Sequence, residues 1–253
     1  MGLSTLEKGL DILALFDGDH REMSVREIAA RMNLLESTLY RYVATLKSRG
    51  LLEETGKQGH YQLGLTILAW YQSLRRRFNI IDLALPIMHA LVETIGETVL
   101  LATVHGQRGI CLERVESSHV LRVAYERGRT LYLHAGATGK VLLAFLSEGK
   151  REAIIREVGL PKLTDNTITD PDELRVSLTK IREDGFAVTD GEQLGGGIRA
   201  ITAPVFDHTG RIAACISVEG PISRLEGRLT ENAIEKTVAA AKRITQILED
   251  VSY

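Results

Sequence analysis

Apolar residues near the start of the chain recur at helical spacing in three short blocks. Within each block they lie three or four positions apart, the repeat that places side chains on one face of an α-helix. The predicted buried stripes are Leu6, Leu10, Leu13 and Phe16, then Val25, Ile28, Ala29 and Met32, and then Leu39, Val43 and Leu46. The pattern therefore predicts three amphipathic helices in the first 50 residues.

Polar residues mark the boundaries of these helices. Ser4–Glu7 and Ser24–Glu27 both have the S-x-x-E pattern of a capping box, in which each side chain satisfies a backbone amide of the first turn. Asn33 tolerates the left-handed conformation of a tight turn, and Gly50 is typical of a helix end. A third helix over residues 36–49 is predicted to follow the turn, so the second and third helices form a helix-turn-helix pattern.

The segment after Gly50 predicts a β-hairpin. Residues 51–54 and 60–63 have strand composition and flank the Gly-containing turn 55–59. A hairpin directly after a helix-turn-helix is a wing, and Lys57 near its tip is placed to reach a phosphate.

The third helix carries the side chains that serve phosphate oxygens and base edges. In a helix-turn-helix the later helix enters the major groove, and hydroxyl and Arg side chains suit contacts there. An alternative remains, since any three-helix bundle with a hairpin shares this pattern and a charged helix face is often only solvated. The candidate DNA-contacting residues are Ser24, Ser37, Thr38, Tyr40, Arg41, Thr45, Lys47, Arg49 and Lys57.

Residues 66–79 predict a linking helix that ends in Arg75–Arg77. The arginines suit the negative end of a helix dipole, and a contact with the DNA backbone is an equal alternative. Trp70 and Tyr71 on the same helix are candidates for a dimer contact.

The rest of the chain alternates between strand and helix patterns. Most strand connections are short turns, which predicts a mainly antiparallel sheet flanked by helices, an α+β fold. Strands are predicted at 98–105, 109–115, 120–125, 186–189, 199–206 and 211–219, and helices at 82–95, 141–146, 151–158, 170–184 and 230–250.

Catalytic and metal-binding patterns are missing from the sequence. Gly136–Lys140 resembles a phosphate loop, but His134 and Val141 stand where that motif needs Gly and Ser or Thr. The two cysteines, Cys111 and Cys215, form neither a disulfide framework nor a metal motif. No nucleophile or acid–base pair is identifiable, so we expect no catalysis, no metal and no cofactor.

Charge and hydropathy set further expectations. The net charge is only −2, so a nucleic-acid surface must come from a local cluster of basic residues. Glu7 and Asp11 interrupt the first apolar stretch, which is wrong for a signal peptide, and no run is long enough to span a bilayer. We expect a cytoplasmic protein with no membrane association.

Several motifs in the same order resemble the IclR family of bacterial regulators over nearly the whole chain. The resemblance implies a winged helix-turn-helix, a linker helix and a GAF-like effector domain. It also implies homodimers or homotetramers built as dimers of dimers. Such proteins usually repress catabolic or stress-response operons under the control of small organic acids or aromatic compounds. The segments that carry the resemblance are LEKGLDILALF, MSVREIAARMNLLESTLYRYVATLKSRGLLEE, HYQLG, LHAGATGKVLLAFL and EDGFAVTDGEQLGGGIRAITAPVFDHTGRIAACISVEGPISR.

The resemblance also implies an effector pocket. The core of the family's recognition helix falls on Ser37, Thr38 and Arg41. Amides at a helix start and a hydroxyl suit a carboxylate, although the small residues are equally typical of an ordinary core, and Asp190 of a turn cap. The implied effector-binding residues are Ala137, Thr138, Asp190, Ala200, Cys215 and Ser217.

Two positions depart from the family pattern, and a third conflicts with a carboxylate effector. Asn33 stands where Gly is frequent, and Glu36 stands where smaller or basic residues are frequent. Asp190 would repel a carboxylate effector unless it orients other groups.

The prediction from the sequence is a ligand-responsive regulator that binds double-stranded operator DNA. Its segments are a DNA-binding domain at 1–64, a linker helix at 65–79 and an effector domain at 80–253. Two other hypotheses are an enzyme on a GAF-like scaffold and a winged helix that acts as a protein adaptor.

Overall fold

The structure is a computed structural model that describes residues 5–17, 20–77, 80–120, 126–193, 195 and 197–251. For residues 73–77 and 251 only the backbone is described. The chain divides into two compact units, Met1–Phe78 and Asn79–Tyr253. Three predictions concern features outside the description: the Ser4 end of the first capping box, residues 121–125 of the strand predicted at 120–125, and the side chains of Arg75–Arg77. Val120, where that strand was predicted to begin, is described and does not lie in a strand.

The first unit contains the predicted helix-turn-helix and hairpin. Its small antiparallel sheet has the order β1-β3-β2, and the strand β1 had no counterpart in the sequence prediction. The elements are α1 (Thr5–Ala14), β1 (Met23–Ser24), α2 (Val25–Met32), α3 (Glu36–Ser48), β2 (Leu52–Glu54), β3 (His60–Leu63) and α4 (Leu65–Arg77).

The local signals around the turn act as the sequence predicted. Ser24 and Glu27 form a complete capping box at the start of α2, and Asn33 ends that helix with φ 51° and ψ 47°. Leu39 and Val43 of α3 are fully buried in the core of the unit. The helix-turn-helix prediction is therefore confirmed.

The predicted buried stripe of the first helix is wrong at Leu6 and Leu10, which are 72% and 57% exposed. The other two predicted positions, Leu13 and Phe16, do pack in the core, together with the fully buried Ile12. Ile12 lies about 120–160° around the helix from Leu6 and Leu10, so the helix has two apolar faces. The face that carries Ile12 packs into the core, and the other is exposed in this chain.

The second unit is built around one antiparallel sheet with the strand order β6-β5-β4-β9-β8-β7. Every described pairing in it is antiparallel, as predicted. The elements are α5 (Ile80–Ile95), β4 (Thr98–His105), β5 (Arg108–Val115), β6 (Thr130–Leu131), α6 (Gly136–Ala144), α7 (Glu148–Val158), α8 (Pro171–Asp184), β7 (Ala187–Asp190), β8 (Ile198–Phe206), β9 (Ile212–Pro221) and α9 (Arg228–Val251).

Helices cover both faces of this sheet because successive strand residues point to opposite sides. Leu101 and Ile216 face α5 and α9 in one apolar cluster. Ala102 and Cys215, their neighbours in sequence, face α6 and α8 in another. The α+β class is confirmed.

The start of α6 lies five residues earlier than predicted, at Gly136 instead of Val141. The glycines at 136 and 139 lower helix propensity, which favoured a loop at the sequence level. Tertiary packing overrides that preference, because α6 lies so close to the preceding segment that only a glycine fits at position 139. A Cβ there would press on the carbonyl oxygen of Tyr132 and lie 3.1 Å from the Cα of Leu133.

We predict that Gly139→Ala destabilises the second unit, by about 1–3 kcal/mol if the neighbours shift to relieve the overlap. The matched control is Gly149→Ala in α7, where a Cβ meets nothing within 4 Å. That change removes only backbone freedom and is expected to stabilise by about 0.5–1 kcal/mol. Urea unfolding of both variants measures the difference, and equal effects would contradict the close packing of α6.

Candidate nucleic-acid interface and ligand pocket

The outward face of α3 is polar near its amino-terminal end. Because Leu39 and Val43 point into the core, Ser37 and Arg41 lie on the opposite side and are exposed. Thr38 is half-buried at the edge of this face, and Tyr40 is 50% exposed. A shallow groove along the helix is lined by Thr5, Thr38, Arg41, Tyr42 and Thr45.

Two of the predicted hydroxyl contacts already have partners within the unit. The Ser24 hydroxyl donates to Oε2 of Glu27 at 2.7 Å and accepts from the Glu27 amide at 3.2 Å. The Thr45 hydroxyl donates to the carbonyl of Arg41 at 2.9 Å. The capping role of Ser24 is therefore established by its geometry, independently of any DNA contact.

The predicted lysines lie apart from the outward face of α3. Lys47 turns towards the hairpin, where its Nζ is 2.8 Å from Oε2 of Glu54 and 5.3 Å from the centre of the Tyr61 ring. Its hydrogen bond to Glu54 raises the pKa of Lys47 and lowers that of Glu54. Lys57 in the hairpin turn pairs with Glu22 at 3.6 Å.

The predicted set thus divides into groups. Ser37, Thr38, Arg41 and Thr45 come together on α3, Tyr40 flanks them, and Arg49 is exposed just beyond the helix end. The remaining three, Ser24, Lys47 and Lys57, lie in a helix cap, an ion pair facing the hairpin and the hairpin turn.

In the second unit, groups distant in sequence cap the start of α6. Ala135 at its N-cap position makes no side-chain hydrogen bond. Instead the Gly136 amide donates to Oε2 of Glu192 at 3.0 Å, and the Ala137 amide donates to Oγ1 of Thr189 at 2.8 Å. The positive end of the helix dipole therefore already has a carboxylate partner.

Lys140 completes this arrangement from the same helix. Its Nζ donates to Oε1 of Glu192 at 2.6 Å, and both side chains are largely buried. Glu192 thus bridges the helix start and a lysine one turn later, which fixes the loop after β7 against α6.

A cavity opens beside this helix start. It has an empty volume of about 280 Å³, including the part open to solvent. The described residues that line it are Gly136, Ala137, Thr138, Thr189, Gly191, Glu192, Gln193, Ile198, Ala200 and Glu219. Of the predicted effector-binding residues, only Ala137, Thr138 and Ala200 belong to this lining.

Two predicted pocket residues lie behind the lining. Ser217 is fully buried and accepts from Oγ1 of Thr202 at 2.8 Å. Cys215 is also fully buried, with Sγ 3.8 Å from the carbonyl of Thr138. Burial raises the pKa of the Cys215 thiol, so this side chain is a small neutral core group.

Asp190 lies outside the lining and pairs with Arg199. Its two carboxylate oxygens accept from the guanidinium at 2.7 and 2.6 Å. The same Arg199 donates to the carbonyl of Leu225 and to Oγ1 of Thr230. This network joins the β7–β8 edge to the segment that begins α9, so the contacts of Asp190 are structural.

Glu219 is among the pocket residues that the sequence reasoning missed, together with Thr189, Glu192 and Gln193. It is 3% exposed, and its Oε1 accepts from Thr138 at 3.1 Å and from Ser217 at 3.3 Å. Burial raises its pKa to about 7, and the two hydrogen bonds and the positive charge of Arg129 partly oppose that rise. The two-residue repeat of β9 places Glu219 on the same face as Cys215 and Ser217, so alternation alone was a usable signal.

In the described part of the chain, no three His, Cys, Asp or Glu side chains converge as a metal site requires. No helix among the same residues is both long enough and apolar enough to cross a bilayer.

Two family models match the chain. The model of the IclR helix-turn-helix domain matches residues 5–56, and the model of the bacterial transcriptional regulator IclR C-terminal region matches residues 72–246. Together they include both the α3 surface and the cavity beside α6.

Individual regulators are also similar to this chain over nearly its whole length. The transcriptional regulator BhcR of Paracoccus denitrificans is 32% identical over 96% of this chain and 87% of its own length. The transcriptional repressor IclR of Escherichia coli is 30% identical over 96% of this chain and 89% of its own. An IclR homologue from Microbacterium hydrocarbonoxydans, crystallised with 4-hydroxybenzoate, has a TM-score of 0.85 at 25% identity and covers 98% and 100% of the two chains.

We predict that Glu219 lowers the free energy of unfolding as the pH rises. Its pKa is about 7 in the folded chain and near 4.5 when exposed, so only the folded state keeps the proton between those values. Stability from this group is therefore greatest below pH 4.5 and falls as the pH rises to 7, by at most about 3 kcal/mol.

Comparison with Glu219→Gln isolates this effect, because the amide does not titrate. The unfolding free energy of wild type should fall relative to that variant as the pH rises from 4.5 to 8. Glu226→Gln, at an exposed position, is the control. Parallel curves for wild type and Glu219→Gln would show that Glu219 is not desolvated.

Proposed function

The chain belongs to the IclR family of bacterial transcriptional regulators, and from that membership we propose that it binds operator DNA under the control of a small organic effector. The observation that carries this proposal is the outward face of α3, where Ser37, Thr38 and Arg41 are gathered opposite the buried Leu39 and Val43. Members of this family are regulators, and the proposed role of this chain is not catalytic.

We propose that each predicted segment has a separate role. Residues 1–64 contact DNA, 65–79 form the linker helix and 80–253 hold the effector. Arg41 offers a bidentate donor to a guanine edge or a phosphate, and the Ser37 and Thr38 hydroxyls suit phosphate oxygens. Arg49 beyond the helix and Lys57 in the wing add positive charge for the backbone, and we propose that the protein acts in the cytoplasm.

We further propose a homodimer, with a dimer of dimers as the larger assembly. The first unit carries apolar side chains that its own core leaves exposed, on α1 and on α4. Burial of such residues against a second copy is favourable at about 25 cal/mol per Å². The exposed large apolar side chains of these two helices are Leu6, Leu10, Leu65, Leu68, Trp70 and Tyr71.

The regulated genes and the effector are proposed from the relatives. The Escherichia coli relative is a repressor, which supports repression here. We propose a catabolic or stress-response operon as the target, which is what the family resemblance implies. The relative crystallised with 4-hydroxybenzoate supports a carboxylate or aromatic effector of similar size. Such an effector changes DNA affinity only by binding one arrangement of the dimer better than the other.

We predict that Arg41→Gln weakens binding to the chain's own upstream DNA by about tenfold or more, the loss of one bidentate contact of 1–3 kcal/mol. A mobility-shift titration at two salt concentrations measures this. Lys242→Gln, on an exposed position of α9, is the control and should bind as wild type does.

The salt dependence distinguishes two roles for Arg41. A base contact relaxes sequence preference, whereas a phosphate contact weakens binding to every sequence and reduces the salt slope by about one. Wild-type affinity in Arg41→Gln would exclude α3 as the recognition helix, and no wild-type binding to any DNA would overturn the proposed function.

We predict that the double change Leu10→Glu and Trp70→Glu weakens self-association, because it places charges on the proposed dimer surface. Sedimentation equilibrium of the full chain is the measurement. Val176→Glu is matched as an exposed apolar position on α8, 72% exposed, and should leave association unchanged. A wild-type chain that is monomeric at DNA-binding concentrations would contradict the homodimer.

A further inference from the structure

The cavity beside α6 is lined by two carboxyl side chains and by no lysine, arginine or histidine among the described residues. The two carboxyls differ in how they are satisfied. Glu192 is neutralised within the protein by Lys140 at 2.6 Å and by the Gly136 amide at 3.0 Å. The charge balance of the lining therefore depends on Glu219.

Glu219 has one carboxyl oxygen satisfied by the protein and one that is not. Both of its hydrogen bonds, from Thr138 and Ser217, end on Oε1. Oε2 accepts no hydrogen bond from the described residues, although Glu219 is 97% buried by its own fold and borders the cavity. Among the described residues, Thr237 Oγ1 is the buried side-chain atom that lacks a partner, so Oε2 of Glu219 instead opens on the cavity, where a ligand or water can donate to it.

The helix start that would attract an anion is already occupied. The amides of Gly136 and Ala137 donate to Glu192 and Thr189 instead of pointing at an unfilled space. A ligand carboxylate here would have to displace Glu192 from those amides and from Lys140. Above pH 7, where Glu219 is ionised, it would also lie near that negative charge. Both effects oppose a carboxylate at this end of the cavity.

We propose that the effector presents a hydrogen-bond donor, an ammonium or hydroxyl group, to Oε2 of Glu219, and that this end of the cavity rejects a carboxylate. The adjoining Ile198 and Ala200 provide apolar contact for a small hydrocarbon body. This inference rests on the proposed function of the cavity as the effector site, and it makes Glu219 the residue that selects the effector's polar group.

The test uses matched probes that differ only in the polar group. Benzylamine, benzyl alcohol and benzoate form one set, and propylamine, propanol and propionate form a second with an aliphatic body. Dissociation constants for the full-length chain are measured at pH 8, where Glu219 is ionised, by ligand-observed NMR at millimolar concentrations. The amine and alcohol are expected to bind more tightly than the carboxylate in at least one set.

Substitutions test whether the probes bind to Glu219 within the cavity. Glu219→Gln keeps the shape but removes the charge and presents an amide, so amine affinity should fall by about tenfold and the preference over the carboxylate should shrink. Ala200→Leu fills the cavity and should weaken amine and alcohol alike. Glu226→Gln is the control and should bind as wild type does. Circular dichroism and the thermal transition verify that each variant folds.

Defined outcomes overturn the proposal. Carboxylate probes that bind as tightly as the amines contradict it, as does failure of every amine and alcohol to bind. Unchanged amine affinity in both Glu219→Gln and Ala200→Leu also contradicts it. Titration of the same preparations on upstream DNA separates the two claims: wild-type DNA binding with carboxylate preference removes this inference alone, whereas loss of DNA binding removes the proposed function.

Discussion

The residue at the N-cap position of α6 makes no side-chain hydrogen bond to the helix start. The packing of the second unit depends on residues distant in sequence that cap the helix instead. Glu192 and Thr189, 56 and 52 positions away, accept the first two amides of the helix. Lys140 holds the other oxygen of Glu192. These contacts fix the loop after β7 against α6 and so form one wall of the cavity. They also occupy the backbone amides at the positive end of the helix. The polarity of the cavity therefore depends on the carboxyl group of Glu219.

The helix-turn-helix could be predicted because its signals are local. The Ser24–Glu27 box, the left-handed Asn33 and the stripe of Leu39, Val43 and Leu46 each act within a few residues. The prediction for α1 failed at Leu6 and Leu10 because apolar residues cover two faces of that helix, and spacing alone does not say which face meets the core. Leu6 and Leu10 are among the exposed residues that the proposed homodimer would bury.

The pocket was predicted only in part, because its chemistry depends on long-range contacts. Thr138 and Glu219 are 81 positions apart in the sequence, and they form a hydrogen bond only because α6 packs on the sheet. Spacing did not reveal that Glu192 would cap α6 or that Asp190 would pair with Arg199. The alternation along β9 was informative about Glu219, since a charged residue on a buried strand face calls for a specific partner.

The proposed function requires that a small molecule bound to the second unit changes the DNA affinity of the first. The most direct test titrates wild type and Ala200→Leu onto the upstream DNA with and without each member of a panel of small acids, alcohols, amines and aromatic compounds. We expect at least one compound to shift the wild-type midpoint and Ala200→Leu to bind DNA equally well without responding. An unchanged midpoint with every compound, or a response that persists in the filled cavity, would contradict control of DNA binding through this pocket.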